Sequence, residues 1–138
     1  MGTIYTKQWW SIDLPAGWSG SAEDDTTLIA AEDGCGLLQI RCFRSDGRDI
    51  EDDDLKDLAS HHLEEGSGAV LHRARYGAFS GFYVYYRADG KLWYEWWLRS
   101  GRVALHATYH CDVADATREE ATIAAMMASL RNFDRGNA

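Results

Sequence analysis

The sequence predicts an α+β domain built on an antiparallel sheet, and three observations carry that prediction. From residue 69 onward the apolar pattern repeats every two residues through four successive segments separated by short glycine-containing turns. Two other stretches, following Ile50 and following Thr117, have helical spacing instead. The strand-like segments stand next to one another rather than alternating singly with helices, which favours antiparallel pairing over βαβ units.

The elements follow in order. WWSIDLPAGW (9–18) reads as an opening strand, with Ile12 and Leu14 alternating against Ser11 and Asp13 and a stop at Pro15 and Gly17. Residues 26–48 read as a hairpin about Asp33-Gly34, with arms Thr27 to Ala31 and Leu37 to Arg44. In DIEDDDLKDLASHHLEEGSG, Leu55, Leu58, Ala59, His62 and Leu63 form one helical stripe. Acidic residues 51–54 occupy its first turn, where the helix dipole favours negative charge, and Gly66 is a natural stop. The four strands 69–76, 81–89, 91–100 and 102–111 then make a meander. A closing helix begins near Thr117, with a capping box to Glu120, and turns Ile123, Ala124, Met127, Leu130 and Phe133 inward.

A length of 138 residues suits a single domain over residues 1–138, large enough to bury a core without disulfide or metal staples. The net charge of -8 argues against a nucleic-acid partner, whose phosphates need a basic face, and suits a basic protein partner. The N-terminus MGTIYTKQWW lacks the apolar run of a signal peptide, and no later stretch is long and apolar enough to span a membrane. Cys35, Cys42 and Cys111 match no metal-ligand spacing and read as buried reduced thiols. A cytoplasmic protein without a bound metal or other cofactor is expected.

If the turns Asp89-Gly90 and Ser100-Gly101 are two-residue loops, the meander presents two distinct faces. One holds Tyr83, Tyr85, Leu92, Tyr94, Trp96, Leu98, Val103, Leu105, Ala107, Tyr109 and Cys111, and is the expected core face. The other holds Phe82, Val84, Tyr86, Trp93, Glu95, Trp97, Arg99, Ala104, His106, Thr108 and His110. On that mixed face Glu95 falls opposite His106, with Trp93, Trp97 and His110 nearby. A carboxylate beside a histidine could be an acid–base pair or, with His110, part of a metal site; it could equally be a satisfied cross-strand hydrogen bond. No nucleophile turn, glycine-rich phosphate loop or H-E-x-x-H helix accompanies it, so no catalytic residue is assigned.

An ordered series of motifs (DLPAGW, DGCGLLQI, GAFSG, DGKLWYEWWLRSGRVALHATYHC and the terminal MMASLR) resembles small bacterial domains related to the Mog1/PsbP/DcrB-like fold group. The likeness runs from about residue 9 to 131. It implies a curved antiparallel sheet of about six strands with helices packed on both sides. Members of that group are mostly non-catalytic: they bind GTPases, assist photosystem assembly or act as adaptor chaperones for secreted effectors. The missing leader departs from its exported PsbP and DcrB-like members.

Two functions are therefore weighed. The first is a protein-binding module, either an immunity protein that blocks a toxin or an adaptor for a secreted effector. Trp9, Trp10 and Trp18 on an edge segment would serve as anchors, with Asp24, Asp25, Asp52 and Asp53 facing a basic partner; a homodimer is compatible with this reading. The second is a small-molecule pocket or enzyme using Trp93, Glu95, Trp97, His106 and His110.

Overall fold

The computed structural model describes residues 2–62 and 70–134. It contains ten strands: β1 (Thr3–Thr6), β2 (Trp10–Leu14), β3 (Trp18–Glu23), β4 (Thr26–Ala31), β5 (Gly36–Arg44), β6 (His72–Tyr76), β7 (Phe79–Ala88), β8 (Lys91–Ser100), β9 (Val103–Asp112) and β10 (Arg131–Asn132). Helix α1 spans Asp52–His62 and α2 spans Glu120–Ala128, with a 3-10 turn at Val113–Asp115 between β9 and α2. Seven strands form one sheet in the order β3-β4-β5-β9-β8-β7-β6, and β1-β2-β10 form a second. Every pairing is antiparallel.

The expected opening strand is in fact two. Pro15 and Gly17, the latter at φ 86°, turn the chain after Leu14, so that β2 joins the small sheet and Trp18 starts β3 in the large one. Strands β1, β3 beyond Trp18, and β10 have no counterpart in the sequence reading. The first is mostly exposed and the last is two residues long, so neither carries an alternating apolar pattern.

The meander is present with one change of register. Asp89 and Gly90, both at positive φ, form the two-residue loop expected of Asp-Gly, and Leu92 pairs with Arg87 and Trp96 with Tyr83. The next loop is Gly101-Arg102 rather than Ser100-Gly101, because Gly101 supplies the positive φ at its first position. Trp96 therefore pairs with Ala107 rather than Leu105, and Glu95 with Thr108 rather than His106. A slip of two residues preserves the faces, since side chains alternate with period two.

One face carries the larger core. Leu92, Trp96 and Leu98 of β8 meet Val103, Leu105, Ala107, Tyr109 and Cys111 of β9 there, under Trp10, Ile12 and Leu14 of β2 and Ile123, Met126 and Met127 of α2. The smaller cluster joins Phe82, Val84, Trp97 and Ala104 to Leu55 and Ala59 of α1. The six-stranded sheet between helices is thus corrected. Among the described residues the main sheet has seven strands and is covered by two short helices, and the small second sheet, which sequence reasoning missed, shares the cover. The charge pattern of α1 is structural as expected: Asp52 Oδ1 accepts from Arg99 Nε at 2.7 Å and Oδ2 from Arg73 at 3.0 Å, tying the first helical turn to the sheet. Leu63 and Gly66 lie outside the described residues.

The closing helix starts later than expected. The 3-10 turn intervenes, and no side chain caps α2 at Glu119, so the Thr117–Glu120 box is not formed. Ile123, Met127 and Leu130 are buried as expected, and Met126 joins them, whereas Ala124 is exposed and Phe133 is 40% exposed. The helix ends before Leu130, which removes Phe133 from its stripe.

Candidate functional site

Glu95 lies in the middle of β8, between β7 and β9, and is only 6% exposed. A buried carboxylate needs donors, and it has them. Tyr86 donates its hydroxyl hydrogen to Glu95 Oε2 at 2.9 Å, and His106 Nε2 lies 3.2 Å from Oε1. The His106 contact is diagonal, because the residue paired with His106 across the strands is Trp97. The Trp97 ring, fully buried, stacks on His106 at 5.4 Å. Burial, reinforced by the hydrogen bond to Glu95 and by its charge, pushes the Tyr86 phenol well above its ordinary range, so it serves as a fixed donor.

Trp93 and His110 form a neighbouring stack at 4.5 Å, with Tyr86 on Trp93 at 6.4 Å. The His110 Nδ1 atom is buried without a hydrogen-bond partner, and burial, then the charge of Lys91, lowers the pKa of the ring. The five residues of the expected pocket therefore share one face as a packed row of rings around a carboxylate with both oxygens engaged. Among the described residues no group of three or more His, Cys, Asp or Glu side chains is arranged to hold a metal ion.

The residues expected to meet a partner are distributed over four places. Trp10 borders the groove that Trp9 lines, but at 1% exposure it belongs to the core, because its position in β2 faces the large sheet, and it offers no surface anchor. Trp18 is half-buried beside Glu32, Asp33 and Arg118. Asp52 is held by Arg99 and Arg73, and Asp53 is exposed beside it. Trp9, Asp24 and Asp25 do come together. They line one open groove of about 380 Å³ with Lys7, Arg41 and Phe43, although 14 residues of chain lie between the tryptophan and the nearer aspartate. Asp24 and Asp25 reach it as the tight turn between β3 and β4, where Asp24 takes φ 54°. Phe43 is 40% exposed under the Arg41 guanidinium, and the Arg44 guanidinium sits 5.8 Å from the Trp9 ring.

A further groove lies on the face that the sequence predicts as core. Tyr76, Tyr83, Tyr94, Trp96 and Tyr109 line a groove of about 200 Å³ against α2, with Glu120 among its lining residues. Rings continue outward from it, Tyr94 to Tyr85 at 5.8 Å and Tyr85 to His72 at 5.8 Å. Tyr85, expected inside, is 55% exposed. The available signal was the tyrosine content of that face: phenol oxygens resist complete burial, so four of them argue for an opening.

No protein-family model matches this chain, and no curated protein sequence matches it. Solved structures do. A protein of Bacteroides thetaiotaomicron superposes with a TM-score of 0.67 at 18% identity, over 94% of this chain and 47% of that one, so the chain spans about half of that neighbour's length. LpqN of Mycobacterium tuberculosis, involved in cell envelope biogenesis, gives 0.64 at 11% identity over 97% of this chain and 91% of its own. The cyanobacterial PsbP (CyanoP) of Synechocystis sp. PCC 6803 gives 0.52 at 10% identity over 96% and 92%. The chain is thus similar in fold to PsbP-like proteins, in line with the PsbP-like resemblance of its motifs.

Proposed function

We propose that this protein is a non-catalytic module, one α+β domain, that binds a basic protein partner through the Trp9–Asp24–Asp25–Phe43 groove. The observation that carries the reading is the convergence of those four residues from three chain segments on one open surface. Aromatic side chains beside guanidinium and carboxylate groups are the composition of protein-recognition surfaces. The net charge of -8 steers a basic partner toward the Asp24-Asp25 turn. The fold neighbours LpqN and PsbP support a small non-enzymatic role. Of the partner classes, a toxin neutralised by occlusion or a secreted effector held by an adaptor fits best. Three free thiols support a reducing compartment, and we place the protein in the cytoplasm.

The second reading, an enzyme or ligand pocket at Glu95, is disfavoured because Tyr86 and His106 already occupy the carboxylate. Co-purification from the native host tests the first. A stoichiometric partner recovered with the wild-type protein and with Asp53→Lys, but lost with the Asp24→Lys/Asp25→Lys double variant, is the expected result. Equal recovery with all three proteins, or no partner with any, overturns it.

A further inference from the structure

The aromatic groove against α2 lies apart from the proposed partner surface and shares no residue with it. Its walls offer ring faces in two directions, since Tyr76 stands at 90° to Trp96 while Tyr94 lies within 14° of it. Among the described residues no basic side chain lines it. Two carboxylates bias it negatively. Glu120 lines it directly, close enough that its charge, after burial, helps raise the pKa of the Tyr94 phenol. Glu119 is 8% exposed and accepts the Tyr109 hydroxyl hydrogen at 2.7 Å, which leaves the Tyr109 ring more electron-rich. Arg118, next to it in the chain, pairs with Asp115 instead.

The chemistry of an occupant follows by elimination. An anion would find no cation. A hydrocarbon would match the ring faces but desolvate Glu120 and the phenols without return. A primary ammonium is compact and strongly hydrated, and would exchange that hydration for a lining that is mostly ring face. A cation whose charge is wrapped in methyl groups needs no hydrogen bond, packs against ring faces and is attracted both by their quadrupoles and by the carboxylates. We propose that this groove binds a quaternary ammonium group, of the trimethylammonium type carried by choline or by trimethylated lysine.

The test is titration of the intact protein with choline, with a trimethyl-lysine peptide and with 3,3-dimethylbutan-1-ol, the neutral isostere of choline. Tryptophan fluorescence reports binding, because Trp96 is the tryptophan lining the groove. At least one of the two cations should give a saturable change, with affinity about tenfold or more above the neutral alcohol; whichever cation binds tighter identifies the source of the group. Glu120→Gln, an exposed substitution that leaves folding intact, should weaken binding about threefold or more, and Tyr94→Leu about tenfold. Equal binding of alcohol and cations, no saturable signal from either cation, or unchanged affinity in Glu120→Gln with a native circular dichroism spectrum overturns the proposal.

Discussion

Glu95 and His106 are hydrogen-bonded across a diagonal of the sheet: Nε2 and Oε1 are 3.2 Å apart although Thr108, not His106, is the residue paired with Glu95. The arrangement makes Glu95 the buried polar tie of the mixed face, with Tyr86 on its other oxygen and the Trp97 ring lying against His106.

Removing the tie should therefore cost stability. Glu95→Ala leaves the Tyr86 hydroxyl and the His106 ring without this acceptor, and we expect a loss of roughly 1–3 kcal/mol in urea unfolding. Tyr86→Phe should cost about 1 kcal/mol alone and much less in the Glu95→Ala background. Strictly additive losses in the double-mutant cycle would rule out the Tyr86–Glu95 bond.

The tryptophans should separate by burial. Trp97→Ala and Trp96→Ala remove rings that are 0% and 4% exposed, and each should lower stability by roughly 3–5 kcal/mol. Trp9→Ala, at a half-buried ring on the groove rim, should shift the denaturant midpoint far less. Matching shifts at all three positions would contradict the assigned faces.

His110 gives the protein a pH dependence of predictable sign. Burial lowers the folded-state pKa of its ring below the ordinary 6.5, so the unfolded chain binds the proton more readily. Its contribution to stability is complete above about pH 6.5 and declines as the pH falls from there through the lower folded value. Denaturation midpoints measured between pH 7.5 and 5 should fall less steeply in His110→Phe than in the wild type; parallel curves would show that the ring titrates normally.

The thiols should be sluggish. Burial pushes the Cys42 pKa up to about 12 and raises that of Cys35, while Cys111 is 1% exposed. Since the thiolate is the reactive species, a thiol reagent at pH 7.5 should label the native protein many times more slowly than the urea-unfolded chain. Rapid stoichiometric labelling of native Cys42, which is half-buried at the Trp9 groove, would show that burial does not suppress its thiolate.

Much of the fold was legible because its signals are local. Asp89-Gly90 names its own turn, and the alternation in β7, β8 and β9 survives a two-residue error in register because the faces survive it. Helix α1 announced itself by its stripe and its acidic first turn. The small sheet was not legible, since β1 and β10 acquire strand geometry only by pairing with β2, and β10 comes from the far end of the chain.

The candidate sites divide in the same way. By itself the sequence determined which side chains share a face, and so placed Glu95 with His106, Trp93, Trp97 and His110. What covers each face was decided only by tertiary packing, because cover depends on contacts between segments distant in the chain. Packing buried Trp10 between β2 and the large sheet, gathered Trp9 with Asp24 and Asp25, and left Tyr83, Tyr94 and Tyr109 to line a groove beside α2 where a closed core was expected.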